Sequence, residues 1–133
     1  QSAALAIKTK TAQRTMLVTD AMAHVGTDLT ELAFFNTVIE RHGDKLVTPE
    51  GTLAGSCLDM HTALLNCHRD LGFTLPEVST MASHTPACFM GKELHLGSIA
   101  VGQTANLILL DDALNIETIW LRGNAVANGE ITL

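Results

Sequence analysis

The chain has 133 residues, of which 47% are hydrophobic: one ordinary domain by length, with enough apolar material for a core. Aromatics make up only 4%, Tyr is absent, the formal net charge is -6 and the 8 Lys and Arg are scattered. Base stacking and a phosphate-backbone footprint therefore lack their tools, and no apolar run approaches the ~20 residues of a membrane-spanning helix.

Residues 2–10 set Leu5 and Ile7 among alanines and predict a helix, ended by Thr9 and Thr11. There is no initiator Met and no helix-start signal, so the sequence reads as the C-terminal part of a longer polypeptide. Met16, Leu17 and Val18 form a compact apolar run that predicts a buried strand. The run ends in Thr19-Asp20. A carboxylate at the carboxyl end of a buried strand sits where α/β folds place their chemistry, which makes Asp20 the catalytic candidate. A turn or cap role is the competing explanation. Residues 21–28 are small and polar, a loop in which His24 either touches substrate or is merely solvated.

Leu32 to Ile39, the turn His42-Gly43-Asp44 and Lys45 to Thr48 predict a β-hairpin, closed by Pro49-Glu50-Gly51. Thr52 to Ser56 leads into a helix, with Ser56 and Asp59 as a capping-box-like start and Gly72 as the stop after Leu71. Its expected buried stripe is Leu58, Leu64, Leu65 and Leu71. A second helix is capped by Thr74, with Pro76 and Glu77 in its first turn, and runs to about Ser83. A third, short one starts at Thr85-Pro86-Ala87 and ends at Gly91. Beyond a boundary near Glu93 to Gly97 come turns, then strands over Asn106–Leu110 and Ile116–Leu121. A further strand begins at Ala125-Val126 after the turn Arg122-Gly123-Asn124.

Cys57, Cys67 and Cys88 are an odd number without a CxxC pair, which reads as reduced thiols, two of them on helices, in a cytoplasmic protein. Cys57, His61 and His68 fall on one side of the predicted 56–71 helix. Thiol and imidazole are zinc ligands, but one straight helix rarely wraps a tetrahedral ion, and a half-buried helix face is the plainer reading. Free N–H groups at Gly55-Ser56 suit an anion or a hydroxyl-rich ligand, or simply a cap. No phosphate loop, dinucleotide glycine fingerprint or nucleophile elbow is present.

Four stretches follow in order: Leu17-Val18-Thr19-Asp20-Ala21, Gly51-Thr52-Leu53-Ala54-Gly55-Ser56, Pro86-Ala87, and Leu96 to Leu107. The series resembles the C-terminal third of the N-acetylglucosamine-6-phosphate deacetylase family of the amidohydrolase superfamily. The resemblance implies an α/β fold: the C-terminal portion of a (β/α)8 TIM-like barrel plus strands of a small β-sandwich domain, incomplete as an isolated chain. Residues 1–96 would be the last barrel strand and closing helices, and 97–133 the sandwich strands. A whole barrel takes about 250 residues.

The implied reaction is hydrolysis of the acetamide of N-acetylglucosamine 6-phosphate to glucosamine 6-phosphate and acetate. Asp20 aligns with the family's catalytic Asp, and Leu53, Ala54 and Gly55 with its substrate-contacting loop. The resemblance also implies a divalent metal ion, zinc or similar, whose Glu and two His ligands lie upstream. This segment would supply no metal ligand, and the fragment alone would be inactive. A cytoplasmic homodimer taking a phosphorylated amino sugar, with no nucleic-acid or membrane partner, completes the expectation. The alternatives are another amidohydrolase acting on a different amide, and a non-catalytic α/β module for binding or assembly.

Overall fold

The computed structural model describes residues 2–126. The chain divides into two compact units: Leu17–Thr74, and the described residues on either side of it. The sandwich strands expected past residue 126 lie outside the described residues.

Within Leu17–Thr74, four antiparallel strands pair in sequence order: β1 Glu31–Phe34, β2 Thr37–His42, β3 Lys45–Val47 and β4 Leu53–Ser56. Phe34 faces Thr37 and His42 faces Lys45, so both first connections are two-residue turns. Such turns need left-handed backbone, found at Phe35 (φ 51°) and Gly43 (φ 64°). The Gly43-Asp44 turn was legible in sequence. The Phe35-Asn36 turn was hidden inside an apolar run, so one expected hairpin proves to be three strands. Ile39 and Leu46 are the sheet's fully buried side chains.

β4 occupies residues expected to be a loop before a helix. The helix, α2 (Met60–Leu65), starts later than Ser56, because Asp59 rather than Ser56 caps it. Thr62 N donates to Asp59 Oδ1 at 2.7 Å, and the Thr62 hydroxyl donates to Oδ2 at 2.8 Å. α2 widens into a π-helical turn, Asn66–Asp70, and stops at Gly72 (φ 73°). The stripe that is most buried is Ala63 and Cys67, four residues apart, while the expected leucines are half-buried. His68 Nδ1 donates to the Phe73 carbonyl at 2.7 Å and ties off the helix end.

The flanking residues open with α1, Ser2–Lys10, as expected, followed by a 3₁₀ turn at Ala12–Arg14. The two helices expected over 74–91 are one continuous run: α3 (Leu75–Ser79), a π turn (Thr80–His84) and α4 (Thr85–Phe89). A Pro ring in an α-helix clashes with the carbonyl four residues back, and the residue before it resists helical backbone. The wide turn ahead of Pro86 relieves the clash, and Thr85 stays helical (φ −61°, ψ −45°). Its buried hydroxyl donates to the Ala12 carbonyl at 2.8 Å. Val78, Met81 and Ala87 form the buried side of this run.

Gly97 (φ 91°) lies hard against the same helix: a Cβ there would come 2.7 Å from Ala87 Cβ and 2.9 Å from the Ser83 carbonyl oxygen. The Gln103 amide clasps this loop, donating to the Glu93 carbonyl at 2.7 Å and accepting from Ser98 N at 3.1 Å and Ser98 Oγ at 3.0 Å. A second antiparallel sheet follows: β5 Leu107–Leu110, β6 Ile116–Leu121 and β7 Asn124–Val126. Arg122 (φ 52°) and Gly123 (φ 81°) make the turn between β6 and β7.

Candidate active site

The stretch leading to Asp20 is strand-like without being part of a ladder. Thr15 is extended, and exposure alternates: Met16, Val18 and Asp20 are exposed, while Thr15, Leu17 and Thr19 are half-buried. Val18 is 77% exposed, so the expected buried strand is corrected on that face. Among the described residues its one sheet-like connection is a parallel bridge from Ala21 to Ser56. An apolar run needs neighbours on both edges to become a buried strand, and composition alone does not supply them.

That bridge joins Asp20 to the end of β4. Ser56 N donates to the Asp20 carbonyl at 2.9 Å, and Met22 N donates to the Ser56 carbonyl at 3.0 Å. The Ser56 hydroxyl donates to the Thr19 carbonyl and accepts from Leu58 N. Ser56 is thus an anchor for the aspartate segment instead of a helix cap. Sequence pattern pointed to Ser56 through its spacing to Asp59, and Asp59 itself won the capping role. Gly55 (φ 87°) is wedged in the same place: a Cβ on it would come 2.6 Å from Met22 Cγ and 3.2 Å from the Asp20 carbonyl oxygen. Met22 is the contact that sequence reasoning missed, since nothing in its spacing marks it.

Asp20 and Gly55 are therefore neighbours, although 35 positions separate them in sequence. Leu53 is 68% exposed on β4, opposite Val47, and Ala54 is half-buried beside it. Asp20 has φ 52°, a left-handed conformation outside any hairpin turn. Its carboxylate is exposed, and no hydrogen bond engages it among the described residues.

His24 differs from expectation. It is completely buried instead of solvated, and neither ring nitrogen has a hydrogen-bond partner. Its carbonyl is fixed by Thr27, whose N–H donates to it at 3.2 Å and whose hydroxyl donates at 3.1 Å. The His24 ring is thus enclosed in the loop after Asp20.

Among the described residues no group of three or more His, Cys, Asp or Glu could hold a metal ion. Cys57 lies between β4 and α2, off the helix that carries His61, so the one-face grouping of Cys57, His61 and His68 dissolves. The residues present do not fit a metal centre by themselves.

The amidohydrolase family profile matches residues 3–126. The N-acetylgalactosamine-6-phosphate deacetylase of Shewanella sp. (strain ANA-3) is 38% identical over 97% of this chain and 32% of its own length. The N-acetylglucosamine-6-phosphate deacetylase of Vibrio furnissii is 32% identical over 85% of this chain and 28% of its own. The solved N-acetylglucosamine-6-phosphate deacetylase from Pasteurella multocida superposes with a TM-score of 0.90 at 30% identity, over 96% of this chain and 33% of that one. The chain thus spans about a third of the length of these relatives and has a partial α/β fold.

Proposed function

Because the chain belongs to the amidohydrolase family, we propose that it is the C-terminal part of a deacetylase acting on N-acetylglucosamine 6-phosphate. The observation that carries this reading is Asp20: an exposed, unpaired carboxylate on left-handed backbone, with its main chain pinned to Gly55-Ser56.

In the proposed reaction a water oxygen attacks the acetamide carbonyl and loses a proton to the Asp20 carboxylate. The tetrahedral intermediate then breaks its C–N bond as Asp20 returns that proton to the amine nitrogen, giving acetate and the free amino sugar. An amine is a poor leaving group until protonated, so both transfers fall to one residue. Leu53, Ala54 and Gly55 line the sugar side. The full-length protein, a cytoplasmic homodimer, supplies a divalent-metal ligand set from outside this chain. Residues 1–96 belong to its TIM-like barrel and 97–133 to its β-sandwich.

The test is Asp20→Asn in the full-length protein. Turnover should fall ~100-fold or more, the usual worth of a positioned acid–base group. Retention of more than a tenth of wild-type turnover would remove Asp20 from the mechanism. The 38%-identical relative is named for the galactosamine epimer, which favours N-acetylgalactosamine 6-phosphate as a second reading. The ratio of kcat/KM for the two 6-phosphates decides between them.

A further inference from the structure

A thiol and an imidazole stand one turn apart on the 75–89 helical run. His84 and Cys88 are four residues apart, neighbours on a helix surface. Cys88 Sγ lies 3.5 Å from His84 Nε2. The other two cysteines differ: Cys57 is half-buried, while Cys67 is buried and its thiol is pushed up by that burial. Cys88 is exposed.

Among the described residues His84 Nδ1 is buried without a partner, so Nε2 makes the ring's hydrogen bond, and it faces the sulfur. Behind it, a Cβ on Gly97 would come 3.1 Å from His84 Cα, so the loop restrains this turn of helix closely.

We propose that Cys88 is a modification site, its thiol activated by His84, that takes small disulfides and forms a mixed disulfide with them. The thiolate is the attacking species in such exchange. His84 Nε2 accepts the Sγ proton as Sγ attacks one sulfur of the incoming disulfide. The new Cys88–S–S–R bond forms as the old S–S bond breaks. Cys88 sulfur is oxidised, the departing sulfur is reduced, and the leaving thiolate takes the proton from His84. No further oxidant is needed.

The full-length protein would be treated with oxidised glutathione, and separately with iodoacetamide, and the labelled cysteines mapped by peptide mass spectrometry. Cys88 in the folded protein should react about tenfold faster than Cys57, and about tenfold faster than Cys88 of the same protein unfolded in urea. Exposure alone would give equal rates for folded and unfolded Cys88, and that equality would overturn the proposal. His84→Gln should bring the folded rate down to the unfolded one while leaving Cys57 unchanged. An undiminished rate in that variant would also overturn it. Should the variant not fold, the folded-against-unfolded comparison on the natural sequence still decides.

Discussion

A non-glycine residue on left-handed backbone costs ~1–2 kcal/mol, and Asp20 carries that strain next to the residues it is proposed to work with. Asp and Asn tolerate the conformation better than other side chains, so Asp20→Asn removes the charge while sparing the backbone. Asp20→Gly and Asp20→Ala would both lose the carboxylate, but the glycine variant should be the more stable by ~1 kcal/mol, read as the difference in denaturant midpoints. Equal stabilities would show that no strain is stored there. Gly97 supplies a contrast with Gly43. Both have positive φ, but a Cβ on Gly97 meets helix atoms at 2.7 and 2.9 Å, whereas one on Gly43 meets nothing within 4 Å. Gly97→Ala should therefore lower Tm distinctly more than Gly43→Ala. At His24, the two unbonded ring nitrogens predict that His24→Leu leaves stability level or raises it, since a buried unpaired polar group costs ~1–3 kcal/mol. A clear loss of stability on thermal melting would mean that the ring is engaged. Asp20 was legible in sequence as the end of an apolar run. The burial of His24 was not, because a loop position carries no periodicity from which burial can be read.

Elements ran as expected where a local signal had no rival, as for α1 and the β6–β7 turn. They departed from expectation where two signals competed. Ser56 and Asp59 are both good caps three residues apart; the one with a receptive Thr62 N–H began the helix, and the other was freed to hold Thr19. Asp59→Ala should cost ~1 kcal/mol in stability, a typical loss for a helix cap. Burial works to raise the Asp59 pKa, but hydrogen bonds from the Thr62 N–H and hydroxyl and the nearby His61 outweigh it, so the net displacement is downward. Asp111 is also lowered, by the Asn115 side-chain amide and then the Asn115 N–H. A carboxyl group depressed by folding stabilises above its ordinary range and loses that contribution as pH falls through its folded value. Stability should accordingly be level above about pH 4 and decline below it, and Asp59→Asn should flatten the decline. Urea midpoints measured across that range check this. The continuity of the 75–89 run was not legible, because Pro86 is a breaker by any local rule and only a widened turn accommodates it.

At the scale of the whole molecule, the chain spans about a third of its relatives, and its chemistry is correspondingly partial. It offers a proton-transfer candidate and no metal-binding cluster among the described residues. Asp20→Asn in the full-length protein should therefore leave bound metal, measured by elemental analysis, within about a tenth of the wild-type ratio. A large drop would make Asp20 a ligand. The order of motifs along the sequence made the family legible, because Asp20 and Gly55 belong to separate stretches that the fold brings together. The two compact units were not legible, since the second is assembled from segments at both ends of the chain. No described helix is long and apolar enough to cross a membrane.

The wide turn at Thr80–His84 has one more consequence. A π turn holds the equivalent of one surplus amino acid, and excising any of these five would let the coil close to regular pitch. Everything downstream would then swing by ~100° about the axis. The Thr85 hydroxyl would point away from Ala12, and the helix face that Gly97 now lies against would rotate out of register. Length at this spot is thus as tightly specified as identity, and a shortened version should misdock its last helix even with every remaining side chain unchanged.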